Sequence, residues 1–211
     1  ILIDFNLSSV TSDIVAGNLV DPRSDSTVTA WLKLFNAKHS EEQMSSFTLN
    51  VFPVNRAWSS GNGLDNDTLS HTGFANALSA QSNIAWSVSG AHDFITDSNS
   101  SSQTFDHGEE DLSINITSLF NTWLAGTTAT NGLIVKLSES QEASSGSTSA
   151  VNYYTKKFFS WTTNTRKSPY IELSWPGSIL DDRASVAFNS TGQLWFYNIV
   201  NSQLIDLNST A

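Results

Sequence analysis

The chain has 211 residues, 39% of them hydrophobic and only 14% charged, with a formal net charge of −10. Seven Trp and twelve Phe supply enough large apolar surface for a core, which excludes an intrinsically disordered chain. The negative charge disfavours general nucleic-acid binding, and the absence of Cys excludes disulfides, Cys-ligated zinc and thiol catalysis.

The missing charge is replaced by Ser, Thr and Asn, residues suited to strand faces and turns. No apolar run approaches the ~20 residues of a membrane span, so no membrane insertion is expected. The chain opens without Met inside a strand-like pattern, as a piece of a longer protein would.

In chain order, Ile1, Ile3, Phe5 and Leu7 alternate with Leu2, Asp4 and Asn6, the period of two that buries one face of a strand. Val28, Ala30, Leu32 and Leu34 repeat it. Phe47–Phe52 follows and ends at Pro53, which confines the strand to its end or to an edge. Further strands are predicted at Ile84–Val88, Leu112–Ile114, Gly132–Leu137, Lys157–Trp161 and Tyr170–Trp175. One segment departs from this period. Ile116, Leu119, Phe120, Trp123 and Leu124 form a helical stripe, with Thr117 as N-cap and Gly126 as terminator.

Pro176-Gly177 marks a boundary. Residues 1–175 are predicted to form an antiparallel, jelly-roll-like β-sandwich with one short capping helix. Residues 176–211 are predicted to be a linker and the opening hairpins of a second small β domain, at Ala184–Phe188, Leu194–Val200 and Gln203–Leu207. About thirty-five residues cannot hold a core alone.

Glycan hydrolysis needs two carboxyls about 5–10 Å apart in one cleft. Asp65 with Asp67, Asp93 with Asp97, and Asp106 with Glu109, Glu110 and Asp111 are the available acids, all in loop-like sequence where acids are normally solvated. No enzyme activity is expected. No cofactor is expected either, beyond a structural calcium, whose candidate ligands are Asp65, Asp67, Asp106 and Glu109. The four histidines, His39, His71, His92 and His107, are scattered without HExxH spacing, which leaves zinc unsupported. Trp58, Trp86 and Trp161 are the candidates for stacking on a sugar, although a sandwich of this size buries most of its rings.

The order of several marks resembles a β-sandwich family known as DNRLRE-type, related to carbohydrate-binding modules. They are the Ile3-Asp4-Phe5-Asn6-Leu7 opening, Trp31–Leu34, Val54–Trp58 with Gly61, Gly63 and Asp65, Ile116–Gly126, Asn131–Lys136, and Ser168–Leu173. Lys157-Phe158-Phe159-Ser160, Thr163-Asn164-Thr165 and Ser168-Pro169 look like the versions in large virion structural proteins of tailed phages. The resemblance implies an extracellular virion part: a fibre, tail or capsid-decoration module. Its expected partners are other virion proteins, copies of itself and host-surface polysaccharide. The alternative it implies is a non-catalytic glycan-binding module of a secreted bacterial enzyme or surface protein.

Overall fold

The computed structural model describes residues 1–41, 45–60, 74–76, 78–87, 100–137, 155–163 and 166–175, and the backbone of 199–200 and 203–204. The chain divides into two compact units. The first is Ile1–Phe5 with Thr29–Leu173, and the second is Asn6–Val28 with Ser174–Ala211.

The first unit is built on two sheets. One has the order β1 (Leu2–Ile3), β8 (Leu133–Leu137), β3 (Phe47–Pro53), β6 (Ser101–Phe105), with antiparallel neighbours. The other has the order β7 (Leu112–Asn115), β2 (Thr29–Leu34), β9 (Tyr170–Ser174), and β7 runs antiparallel to β2. Alternation sets which faces are buried: Ala30, Leu32 and Leu34 of β2, Leu112 and Ile114 of β7, and Phe47, Leu49 and Val51 of β3 are all core. Phe47 and Phe105 are register partners, and their rings stack at 4.9 Å. The fold is therefore β-rich with antiparallel sheets, as the period-two pattern predicts. Pro53 stands at the end of β3, where its missing N–H breaks nothing.

Gln103 joins the two sheets. From β6 its amide nitrogen donates to Asp111 O at 2.9 Å, and its amide oxygen accepts from Ser113 N at 2.7 Å. Among the described residues no strand pairs with that edge of β7, and the Gln103 side chain occupies two of the backbone groups along it.

The four-stranded sheet has a second covered face. Leu133 and Val135 of β8 turn to the core, while Ile134 is buried with Val54, Ala80 and Trp86 on the reverse side. Leu2, Phe52, Trp58 and Ala75 pack against that cluster. The antiparallel pair β4 (Ser79–Gln81) and β5 (Ile84–Ala85) carries Ala80 into it. The predicted strand over Ile84–Val88 is therefore only two residues long, both exposed, with Val88 outside the described residues.

Helix α2 spans Thr117–Leu124. Ile116, Leu119, Phe120 and Trp123 are buried and Leu124 is half-buried, so the predicted stripe is real. Its start differs from expectation. Ile116, not Thr117, occupies the N-cap position, and Thr117 Oγ1 accepts from Ala30 N at 2.8 Å. Ile116 N donates to Ala30 O at 2.8 Å, so the helix begins as a continuation of the β2–β7 ladder. That backbone demand takes the threonine hydroxyl away from its own helix. Gly126, at φ 69°, ends α2 by donating to Trp123 O.

In the second unit, α1 (Ser8–Val15) occupies sequence where no element is predicted. None of its residues is buried. Asn6 Oδ1 accepts from Ser8 N, and Thr11 and Ser12 hydroxyls return to the carbonyls of Leu7 and Ser8. The predicted opening strand is accordingly cut to β1. β10 (Ile199–Val200) and β11 (Gln203–Leu204) form an antiparallel pair within the predicted strands Leu194–Val200 and Gln203–Leu207; the predicted strand Ala184–Phe188 and residues 194–198 lie outside the described residues.

Two substitutions test this packing. Trp123→Ala is expected to cost about 3–5 kcal/mol in denaturant unfolding, because a 5%-exposed ring would leave a cavity. Gly132 has φ 80°, and a Cβ there would run into Ile3 O, so Gly132→Ala is expected to cost at least ~2 kcal/mol and to loosen β1. Unchanged hydrogen exchange at Leu2 and Ile3 in that variant would count against the account.

Candidate functional site

The densest polar constellation among the described residues forms where the core row of β2 runs out. Ala30, Leu32 and Leu34 face the core, and Asn36 continues that alternation two residues further on. Opposite it, residues 155–159 form a bridge in place of the predicted strand Lys157–Trp161. Asn36 pairs with Phe158, Ala37 N donates to Lys157 O, and Phe159 N donates to Phe35 O. In an antiparallel bridge this sets Lys156, Phe158 and Asn36 on one side of the ribbon.

Lys156 reaches inward from there. Its Nζ donates to Asn36 Oδ1 at 2.7 Å, Gly108 O at 2.8 Å and Glu110 O at 2.8 Å, using all three N–H bonds. The ring centroids of Phe105 and Phe158 lie 5.0 and 4.9 Å from it. Burial pulls the ammonium below its ordinary pKa, opposed by the charges of Glu110, Asp111 and Glu109 in that order.

The loop that receives Lys156 is the acidic run Asp106–Asp111. Glu110 Oε1 accepts from the amides of Asp106 and His107 at 2.8 and 2.7 Å. Asp111 Oδ1 accepts from Asn36 N at 2.7 Å. Burial pushes the Glu110 carboxyl up. The amides of His107, Glu110, Asp106 and Gly108 outweigh that effect and hold it below its ordinary value. Glu110 Oε2 is buried with no hydrogen-bond partner.

This arrangement bears directly on the predicted calcium ligands. Asp106 and Glu109 flank the loop, but its inward carbonyls, Gly108 and Glu110, face an ammonium that belongs to the chain. Asp65 and Asp67 lie outside the described residues, as do Asp93 and Asp97. Among the described residues no group of three or more His, Asp or Glu stands together to hold a metal ion. Nearby, His39 is buried with Nδ1 3.0 Å from Glu41 Oε2, and Lys157 Nζ is 2.8 Å from Glu41 Oε1.

The predicted stacking tryptophans do not share a surface. Trp86 is 5% exposed and donates Nε1–H to Asn76 O at 2.7 Å, so its ring lies in the core and not on an open face. Trp58 is half-buried against the same cluster and donates to Asn131 O at 2.8 Å. Trp161 alone of the three is open, at 74% exposure. A different aromatic group stands on the non-core side of the three-stranded sheet, where period two places Trp31, Lys33 and Phe35. Lys33 lies over the Trp31 ring at 5.4 Å and bonds Ser113 Oγ at 2.7 Å, and Phe35 meets Tyr170 at 6.0 Å between centroids. Sequence reasoning missed this group because it looked for Trp alone. The same alternation that marks Leu32 and Leu34 as core also marks Trp31 and Phe35 as the opposite face.

Comparison with protein families, curated proteins and solved structures finds no match to this chain.

The lowered Glu110 pKa has a defined consequence for stability. Its contribution is present above the unfolded-state carboxyl pKa and is lost as pH falls through the lower folded-state value. Glu110→Gln is therefore expected to flatten the acid limb of the stability–pH curve. Glu110→Ala is expected to cost about 1 kcal/mol at neutral pH, from two amides left to solvent. An unaltered acid limb in Glu110→Gln would refute the assignment.

Proposed function

We propose that the chain is a non-catalytic structural module of an extracellular particle. Its two sheets would be the layers of a jelly-roll-like sandwich, serving as a fibre, tail or decoration part of a tailed-phage virion. The observation that supports this reading is the use made of the acidic loop. Glu110 and Asp111 hold backbone amides, and Lys156 fastens the loop's carbonyls to Asn36, so the chemically richest cluster works as a brace. Partners would dock on exposed rings such as Trp161 and Tyr170, which are 74% and 38% exposed.

A second reading, a glycan-binding module, draws on the Trp31, Phe35 and Tyr170 face with Lys33 and Glu172 between the rings, 3.8 Å apart. Aromatic faces beside hydrogen-bonding groups suit pyranose rings, and the net charge of −10 would favour neutral glycans over acidic ones.

Light scattering over a concentration series is expected to show self-association that weakens in Trp161→Ala. Incubation with bacterial polysaccharides is expected to release no reducing ends. A strict monomer that retains a neutral polysaccharide, and loses it in Tyr170→Ala, would replace the first reading with the second. Sugar release abolished by Glu110→Gln would overturn both.

A further inference from the structure

We propose that Lys156 and Asn36 join covalently, Nζ to Cγ, as an intramolecular isopeptide bond formed with loss of ammonia. This inference is independent of the virion reading. Three requirements of that reaction meet at one place. The nucleophile is already against its electrophile, since Nζ lies 2.7 Å from Asn36 Oδ1 and hence beside the amide carbon. The rings of Phe105 and Phe158 flank the amine, and its partial burial weakens its hold on its proton. Glu110, whose charge acts on Lys156 more strongly than any other, keeps Oε2 buried and without a hydrogen-bond partner. Its carboxylate would take the proton once Nζ releases one of the three oxygens it holds in this structure.

The steps balance without an outside reagent. Nζ gives one proton to Glu110, and its freed lone pair adds to Asn36 Cγ while the carbonyl π pair moves to Oδ1. In the tetrahedral adduct the attacking nitrogen passes a second proton to Nδ2. The carbonyl re-forms, the Cγ–Nδ2 bond breaks, and ammonia leaves with the proton held by Glu110, as ammonium. An ammonium and a primary amide thus become a secondary amide and an ammonium ion. Glu110 returns to carboxylate, and no electron is gained or lost. The Gly108 and Glu110 carbonyls hold the ammonium against Asn36 before the first proton leaves. A chain with no Cys has no disulfide available for the same purpose.

Intact-mass spectrometry of the purified 211-residue chain tests the bond. The wild-type protein is expected to weigh one ammonia less than its sequence. A protease digest is expected to yield a branched peptide joining the segments around Asn36 and Lys156. Lys156→Arg and Asn36→Ala are each expected to restore the full sequence mass, and Glu110→Gln is expected to leave most molecules unjoined. A wild-type chain at full mass, whose Lys156 is acetylated by an amine reagent after unfolding, would overturn the proposal. So would an ammonia loss that persists in Lys156→Arg, which would place it at another asparagine. A Glu110→Gln chain that joins as fully as wild type would remove Glu110 as the proton carrier.

Discussion

The pairing of β8 with β3 constrains everything around it, because β8 is buried on both faces. Leu133 and Val135 supply the core, and Ile134 on the other side is nearly as enclosed. A strand of that kind cannot border water, so the chain must provide a second layer. It does so with Val54, Ala80 and Trp86, drawn from the long excursion between β3 and β6. The indole N–H groups of Trp58 and Trp86 find backbone carbonyls at the rim of that layer, which lets large rings sit there without an unsatisfied donor. Gly132 follows from the same crowding: β1 closes on β8 at a point where no side chain fits.

Much of the first unit was legible in the sequence because period two and period 3.6 are direct consequences of burial. The rows Ala30–Leu32–Leu34 and Phe47–Leu49–Val51 and the stripe Ile116–Trp123 all emerge as core. What escaped was local chemistry that competes with periodicity. Helix α1 buries nothing, so it has no apolar stripe to detect, and its support comes from Asn, Ser and Thr side chains turned onto the backbone. Thr117 looks like a helix cap in sequence, but a partner 87 residues away claims its hydroxyl. The segment at Lys157–Trp161 has strand-like residues, yet only Phe158 forms a bridge before a turn begins.

The candidate site was legible in half. Sequence drew attention to the acids of 106–111, and those residues do converge with other chemistry. The cation that meets them was invisible, because Lys156 follows a long polar stretch and nothing local points it at Gly108, 48 residues earlier. Tryptophan count was likewise a poor guide to surface recognition. Trp86 went to the second layer, whereas Phe35 and Tyr170, ordinary strand residues in sequence, came together through the β2–β9 neighbourhood.

The 120-residue separation between Asn36 and Lys156 also has a mechanical meaning. Tension applied along the chain enters at residue 36 and leaves at residue 156 for as long as these two side chains hold together. The intervening polypeptide, with β3, β6, β7, α2 and β8, then lies in a side loop outside the path of force. Only the flanking segments can be drawn out, and β2 meets its neighbour β9 on that outer path. A domain wired in this way yields at its margins first and keeps its centre folded under shear.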